Sequence, residues 1–145
     1  MSEVIPYLYI KGAAKAIEFY TRAFGARETY ARITDGDGRV GHAEITIGAS
    51  TLMLADEHPE IDARGPQHYG GSPVSILLYV DDVDALFKQA VAAGGTEVRP
   101  VTDQFYGDRS GTLKDPFGHS WHLSTHKEDV SQEELNRRMA ALAKK

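Results

Sequence analysis

The feature that most constrains the fold of this chain is an internal repeat with an offset of 70 residues. The offset superimposes five positions of matching character: Leu8 on Leu78, Ile10 on Val80, Ala13 on Val83, Ile17 on Phe87 and Gly25 on Gly95. In both halves an alternating segment is followed by a segment of helical periodicity that ends on glycine. The match predicts two copies of one structural unit.

The first copy predicts the order strand, helix, strand, strand, strand. Alternation over Val4–Ile10 indicates a strand, and apolar residues at three- and four-residue steps over Ala13–Phe24 indicate an amphipathic helix that ends at Gly25. Three further strands are predicted at Arg27–Thr34, Gly41–Ile47 and Thr51–Ala55.

The second copy repeats this order after a segment rich in glycine and proline, Asp56–Ser72, which is predicted to be a linker or a mobile loop. A strand at Val74–Val80 is followed by a helix that Asp81 or Asp82 caps. Three strands complete the unit, at Glu97–Val101, Gly111–Lys114 and Ser120–Ser124. The predicted fold class is therefore α+β, with two β-α-β-β-β units (about 3–56 and 73–127) in one domain, residues 1–145.

A capping box begins a last helix after the second unit. Ser131 supplies the capping hydroxyl and Glu134 the acidic residue three positions later, which predicts a helix over residues 131–144. Its apolar stripe is narrow, so we expect it to pack on the exterior of the domain or on a second copy of the chain.

A hairpin is predicted between the last two strands. Asp115–Gly118 has proline at its second position and glycine at its fourth, as type I turns favour. In the strand that follows, Trp121 and Leu123 point to one face, and His122 points to the other between two serines. We predict that the apolar face packs on a helix and that the polar face carries any chemistry.

Charge and composition exclude several classes of partner. The net charge is −5 with a pI near 5.6, and no run of lysine or arginine exceeds two residues, so nucleic acids and anionic membranes are not expected partners. There is no cysteine, which excludes disulfides, thiolate catalysis and cysteine-ligated metals. The N-terminus lacks the pattern of a signal peptide, so a cytoplasmic location is expected.

Four short motifs accompany the repeat: Ala16-Ile17-Glu18-Phe19-Tyr20, Phe24-Gly25, His42-Ala43-Glu44 and the run GDRSGTLKDPFGHSW. Together they resemble the vicinal-oxygen-chelate superfamily of glyoxalases, bleomycin-resistance proteins and dioxygenases, and within it the PhnB-like branch. The resemblance covers about residues 3–127. It implies two cupped sheets that form an incomplete barrel around a ligand cavity, helices on the convex faces, and a homodimer.

The resemblance also implies where a metal would bind. Metal-using relatives hold a divalent ion with one side chain from the first and last strand of each unit, and the matching positions here are Ile5, Met53, Ser75 and His122. Isoleucine cannot coordinate, and a thioether is a poor ligand for the hard or borderline ions concerned. Sliding each strand by two residues brings in Tyr7, Ala55, Leu77 and Ser124, which is no better. We therefore expect no metal and no other cofactor.

His42 and Glu44 are the best candidates for acid–base chemistry, because residues two apart on a strand share a face. They can serve as a general base and an orienting carboxylate, or hold a polar ligand. A solvent-facing salt bridge is the alternative. His122 is the third candidate, whereas His119 and His126 are expected at the surface or in turns, and His58 and His68 in an exposed loop.

Aromatic and basic residues supply the remaining candidates for ligand binding. Tyr7, Tyr9 and Tyr79 either line a cavity that accepts aromatic ligands or fill the core. Arg109 either grips an anionic ligand or forms a structural ion pair. The full ligand-binding set predicted for the concave side is Tyr7, Tyr9, Glu44, Met53, Tyr79, Arg109 and His122.

Two classes of function follow from these observations. The first is a metal-independent protein that binds a small organic molecule, as the drug-resistance members do. The second is a metal-assisted lyase, isomerase or dioxygenase that uses His42, Glu44 or His122. The missing chelating set favours the first class. In either case Asp56–Ser72 is the expected lid over the cavity.

Overall fold

A computed structural model describes residues 1–144 and contains both predicted units. The first unit consists of β1 (Tyr7–Ile10), α1 (Ala13–Phe24), β2 (Arg27–Glu28), β3 (Ile33–Thr34), β4 (Val40–Ile47) and β5 (Ser50–Asp56). After a connecting helix, α2 (Pro66–Tyr69), the second unit consists of β6 (Ser75–Tyr79), α3 (Val83–Ala93), β7 (Thr96–Asp103), β8 (Asp108–Lys114) and β9 (Ser120–His126). The helix α4 (Gln132–Ala143) follows.

The two units form sheets with the same strand order. The N-terminal sheet runs β1-β5-β4-β2, with β3 also paired to β4, and the C-terminal sheet runs β6-β9-β8-β7. In each unit the first strand pairs in parallel with the last strand, and the remaining pairs are antiparallel. The α+β class and the duplicated unit predicted from the repeat are confirmed.

The prediction of a single strand over Arg27–Thr34 is wrong. This segment pairs with β4 only at its two ends, β2 and β3, and the register shifts between Ile33 and Thr34. Between the ends the chain bends, and the hydroxyl of Tyr30 reaches His42. The bend is not predictable from the residue types, because the segment contains neither glycine nor proline.

The segment predicted as a linker has regular structure. It contains a 3₁₀ turn at Pro59–Ile61 in addition to α2, and the amide of Gly65 donates to Glu57 Oε2 at 2.8 Å. A Cβ atom added at Gly65 would lie 2.8 Å from the carbonyl oxygen of Tyr9, so a larger residue does not fit here. This segment therefore lies directly against the outer edge of β1.

The last strand of each unit fixes where the helix of that unit begins. At the end of β5, Asp56 Oδ1 accepts hydrogen bonds from the amides of Gly12 and Ala13, at 3.0 and 2.9 Å. In the second unit, Thr125 Oγ1 of β9 accepts from the amide of Val83 at 2.8 Å. Both oxygens satisfy amides of the first helical turn, which have no partner within the helix.

One continuous core receives the covered faces of both sheets. Trp121 of the second unit packs against two rings of α1, with centroid distances of 5.3 Å to Tyr20 and 4.5 Å to Phe24. Trp121 and Leu123, which were predicted to face a helix, are buried in this core. The corresponding residues of the other strands are also buried or, for Leu78, partly buried: Leu8, Ile10, Ile45, Leu54 and Leu78. The predicted alternation of these strands is therefore confirmed.

Polar contacts hold α4, which has no fully buried residue. Ser131 Oγ accepts from the amide of Glu134 at 3.1 Å, as the capping box predicts. Arg138 donates to the carbonyl of Phe105 and to Glu128, both at 2.8 Å. No helix within residues 1–144 is long and apolar enough to cross a membrane.

Two leucines on opposite faces of the C-terminal sheet test this layering. Leu123 is fully buried, whereas Leu77, on the neighbouring strand, is 53% exposed. Leu123→Ala should lower the free energy of unfolding by about 2–5 kcal/mol, because it leaves a cavity in a packed core. Leu77→Ala should cost less than about 1 kcal/mol. Urea denaturation of both variants measures the difference, and equal costs would contradict the assignment of the two faces.

Candidate functional site

Each sheet has one face that no other layer within residues 1–144 covers, and we call these the open faces. On the N-terminal sheet Tyr7, Met53 and Glu44 lie side by side on β1, β5 and β4. On the C-terminal sheet Leu77 lies beside His122, and Tyr79 is 55% exposed. The open faces carry every member of the predicted ligand-binding set except Arg109.

His42 lies between two tyrosine hydroxyls on the N-terminal open face. Tyr7 Oη is 2.8 Å from Nδ1, and Tyr30 Oη is 2.9 Å from Nε2. A neutral imidazole donates from one nitrogen and accepts at the other, so one of the two hydroxyls accepts and keeps its own proton for a ligand. Burial raises the pKa of Tyr7, as do the neighbouring hydroxyls of Tyr9 and Tyr30, so this phenol remains a donor at neutral pH.

The predicted pairing of His42 with Glu44 does not form. The two residues share a face as predicted, but tyrosines occupy both ring nitrogens of His42. Tyr30, rather than a carboxylate, orients the imidazole together with Tyr7. Sequence reasoning missed Tyr30 because it lies in the bend that the alternating pattern did not reveal.

A mostly apolar cavity of about 650 Å³ lies between the edge strands β1 and β6. We call it the apolar hollow. The residues that line it come from β1, from β6 and from the segment that was predicted as a lid: Pro6, Tyr7, Leu8, Tyr9, Arg64, Gly65, Pro66, Tyr69, Gly71, Ser72, Pro73, Val74, Ser75, Ile76, Leu77 and His119. Two of the predicted cavity tyrosines, Tyr7 and Tyr9, therefore meet the predicted lid at one place.

His119 lies at the end of the hairpin turn between β8 and β9, in keeping with the predicted surface or turn position. It is half-buried beside the apolar hollow, and its Nε2 atom is buried without a hydrogen-bond partner in the described residues. Burial lowers the pKa of His119, although Asp115 and the carbonyl of Tyr9 act in the opposite direction. The neutral form of the imidazole is therefore favoured.

A second hollow, of about 510 Å³, lies on the C-terminal open face around His122. We call it the polar hollow. Its lining is Arg99, Pro100, Thr102, Gln104, Tyr106, Ser110, Gly111, Thr112 and His122. Thr112 Oγ1 is 2.8 Å from His122 Nδ1, which fixes the ring and leaves Nε2 without a partner in the described part of the chain.

Arg109 belongs to a structural ion pair and not to the ligand-binding set. Its guanidinium donates to both carboxylate oxygens of Asp84 on α3, at 2.8 and 2.9 Å, and to Asp103 at 3.2 Å. These carboxylates raise the pKa of Arg109 further above its usual range. Because Asp84 lies on α3, Arg109 points to the helix-covered side, and its side chain is directed away from the open face.

Tyr79 is tied to a buried carboxylate at the end of the C-terminal open face. Its hydroxyl donates to Asp108 Oδ2 at 2.6 Å, and this hydrogen bond raises the pKa of Tyr79. His126 bonds to Asp108 through Nδ1 at 2.8 Å and to Asp129 through Nε2 at 2.7 Å, and these two bonds raise the pKa of His126. His126 is exposed, as predicted. Because the hydroxyl of Tyr79 is engaged by Asp108, Tyr79 offers a ligand its ring rather than its hydroxyl.

The four positions that correspond to metal ligands do not form a chelating set. Ile5 precedes β1, and the hydroxyl of Ser75 bonds to Ser120 at 3.2 Å. Met53 offers only a thioether, which leaves His122 as the one good donor. Within residues 1–144, no group of three histidine, cysteine, aspartate or glutamate side chains is placed to hold one ion. The donor set does not fit the metal that relatives use.

Comparisons with known proteins agree with this fold. An uncharacterized protein of Mycobacterium bovis, Mb0911c, is 41% identical over 139 residues, which cover 94% of this chain and 91% of that protein. The crystal structure of TioX from Micromonospora sp. ML1 has a TM-score of 0.68 at 26% identity, covering 87% of this chain and 99% of TioX. The PhnB protein from Bacillus cereus shares the fold at a TM-score of 0.63 and 21% identity, covering 86% of this chain and 99% of that chain.

A family model supplies the broader assignment. The model of the Glyoxalase/Bleomycin resistance protein/Dioxygenase superfamily matches residues 4–123, which include the first unit, all but the end of β9 in the second, the tyrosines around His42 and the whole lining of the polar hollow. The duplicated unit and the common strand order of the two sheets are independent structural support for the same assignment. The chain therefore belongs to the glyoxalase/bleomycin resistance/dioxygenase superfamily.

Proposed function

We propose that this protein binds a small organic molecule on the open faces of its sheets and holds no metal. The observation that carries the proposal is the apolar hollow, whose volume of about 650 Å³ suits a small ligand. Tyr7 and Tyr9 line it, with ring centroids 5.3 Å apart, and supply aromatic surface. The Tyr7 hydroxyl adds a polar anchor, because it is fixed by His42.

The position of the predicted lid supports this proposal. Arg64, Tyr69 and Ser72 line the apolar hollow opposite β1, so a ligand that enters the hollow contacts both the sheet and this segment. The connection of Gly65 to Glu57 keeps one end of the segment in place, whereas Tyr69 is 65% exposed. Movement of the Tyr69 end would open or close the hollow without disturbing the sheet.

Metal independence follows from the chemistry of the donor positions. Only His122 among the four corresponding residues is a good ligand, and its Nδ1 is already engaged by Thr112. One imidazole nitrogen cannot hold a divalent ion against water. A ligand must therefore be held by hydrogen bonds, aromatic contacts and apolar burial.

His42 favours a second function, an enzyme of the lyase, isomerase or dioxygenase classes found in the superfamily. An imidazole hydrogen-bonded to two phenols can hold a proton at Nδ1 or Nε2 and pass it through Tyr7 toward the hollow. That arrangement suits proton transfer. The metal-assisted form of such chemistry lacks its ligands here, so binding without chemistry is the preferred function.

We further propose a homodimer that is paired through the open faces. Large apolar side chains are exposed on these faces, including Tyr7 at 40%, Leu77 at 53% and Tyr79 at 55%. A second copy would cover them and enclose the ligand more fully than one chain does. A location in the cytoplasm stays a prediction.

Loss of one hollow-lining ring tests the proposed binding. We expect neutral aromatic fragments that bind the protein, found by ligand-observed NMR, to lose at least about tenfold in affinity with Tyr9→Ala, because the ring forms part of the wall. Met139→Ala is the control, since Met139 is an exposed apolar residue on α4 and lines neither hollow. Treatment with a chelator should leave the affinity unchanged. Binding that needs an added divalent ion, or an affinity that Tyr9→Ala leaves unchanged, would refute the proposal.

The association state is tested by a charge placed on the open face. Light scattering at micromolar concentration should give the mass of a dimer, and Leu77→Asp should shift the protein toward the monomer, because the interface would then bury an unpaired carboxylate. Val91→Asp is the control, since Val91 is an exposed apolar residue on α3. A monomeric mass for the unmodified protein contradicts the proposed dimer.

A further inference from the structure

The lining of the polar hollow contains basic side chains and no acidic ones, which is unusual for this acidic chain. The chain carries 21 acidic residues against 16 lysines and arginines, yet the lining of the polar hollow contains Arg99 and His122 and no acidic residue. Arg99 is exposed and makes no salt bridge within the described residues, whereas Arg109, on the next strand, is paired with two carboxylates. Arg109 is the arginine predicted to bind an anion, but of the two guanidinium groups it is that of Arg99 that is unpaired within the described residues.

The strand register aligns Arg99 with His122. Arg99 is opposite Thr112, and Thr112 is opposite His122, so the three side chains lie in one row across β7, β8 and β9. Thr112 holds His122 by Nδ1 and leaves Nε2 free. When the threonine hydroxyl donates to Nδ1, the neutral ring carries its proton on Nε2 and becomes a donor on the same face as the guanidinium.

We propose that the polar hollow binds the anionic group of the ligand, a carboxylate or a phosphonate, through Arg99 and His122. A guanidinium presents paired donors that match the oxygens of both groups, and hydroxyls of Ser110 and Tyr106 are available on the same wall. The inference rests on the proposed binding function and deepens it by naming the class of ligand.

The polar hollow lies one strand away from the apolar hollow. Leu77 lines the apolar hollow and is the register partner of His122, which lines the polar one. From Leu77 to Arg99 the row crosses three strand spacings, or about 14 Å. One ligand with an apolar or aromatic body and an anionic end can therefore occupy both hollows.

Three probes of similar size separate charge from shape: benzoate, phenylphosphonate and neutral benzamide. Chemical shifts of the protein followed by NMR during titration should give an affinity at least about tenfold higher for one of the two anions than for benzamide. The preferred anion identifies the group as carboxylate or phosphonate. Equal affinity for all three probes would overturn the inference.

Arginine variants then locate the anion. Arg99→Gln should remove the tenfold preference and leave benzamide binding unchanged, because Arg99 is exposed and its loss does not disturb the core. Arg27→Gln is the matched control, because Arg27 is also exposed, also unpaired in the described residues, and lies on β2 of the other unit. An equal loss in both variants would show attraction to net charge alone and would overturn the inference.

Failure of this inference is distinguishable from failure of the proposed function. If benzamide binds and depends on Tyr9, but the anions gain nothing from Arg99, the binding function stands and the anion site is refuted. If anions bind through Arg99 while Tyr9→Ala has no effect on any probe, the anion site stands and the apolar hollow is refuted as the binding site.

Discussion

The buried carboxylate of Asp115 joins the two units, and the layering of the molecule depends on it. Its Oδ1 accepts from the amides of Phe117 and His119, both at 2.9 Å, which closes the hairpin turn. Its Oδ2 accepts from Tyr20 of α1 at 2.6 Å and from Trp121 Nε1 at 3.0 Å. Burial, and then the carboxylate, raise the pKa of Tyr20 well above its usual value, so the phenol remains a donor. Hydrogen bonds to a charged group are worth about 1.5–3 kcal/mol each.

This contact decides which faces are available for function. Because Trp121 is drawn against α1 of the other unit, the helices of both units and the covered faces of both sheets share one core. The opposite faces are left without a layer, and these faces carry the tyrosines around His42 and the polar hollow. Stability and binding are thereby assigned to opposite sides of the same strands. Strand β9 shows this division between neighbouring residues, since Leu123 is buried in the core and His122 lines the polar hollow.

The sequence predicts the fold well because its signals are local and periodic. Alternation placed Leu123 and His122 on opposite faces, and the repeat predicted the common strand order of the two sheets. The site is predicted less well, because it depends on contacts between distant segments. Tyr30 reaches His42 through a bend without a turn residue, and His119 lines the apolar hollow together with a segment whose composition predicts a loop. Arg99 and Arg109 have the same chemistry, and only the register of β7 and β8 shows which of them is paired.

The central claim is that the open faces, and not the core, form the binding surface. Methyl NMR during titration with a bound fragment tests it most directly, because each face contributes its own reporters. The account predicts that the methyl signals of Val74 and Leu77, which line the apolar hollow, shift, while those of Leu54 and Leu123, which are fully buried, stay in place. Large shifts at Leu54 and Leu123 with none at Val74 and Leu77 would place the ligand between the helices and the sheets and contradict the account.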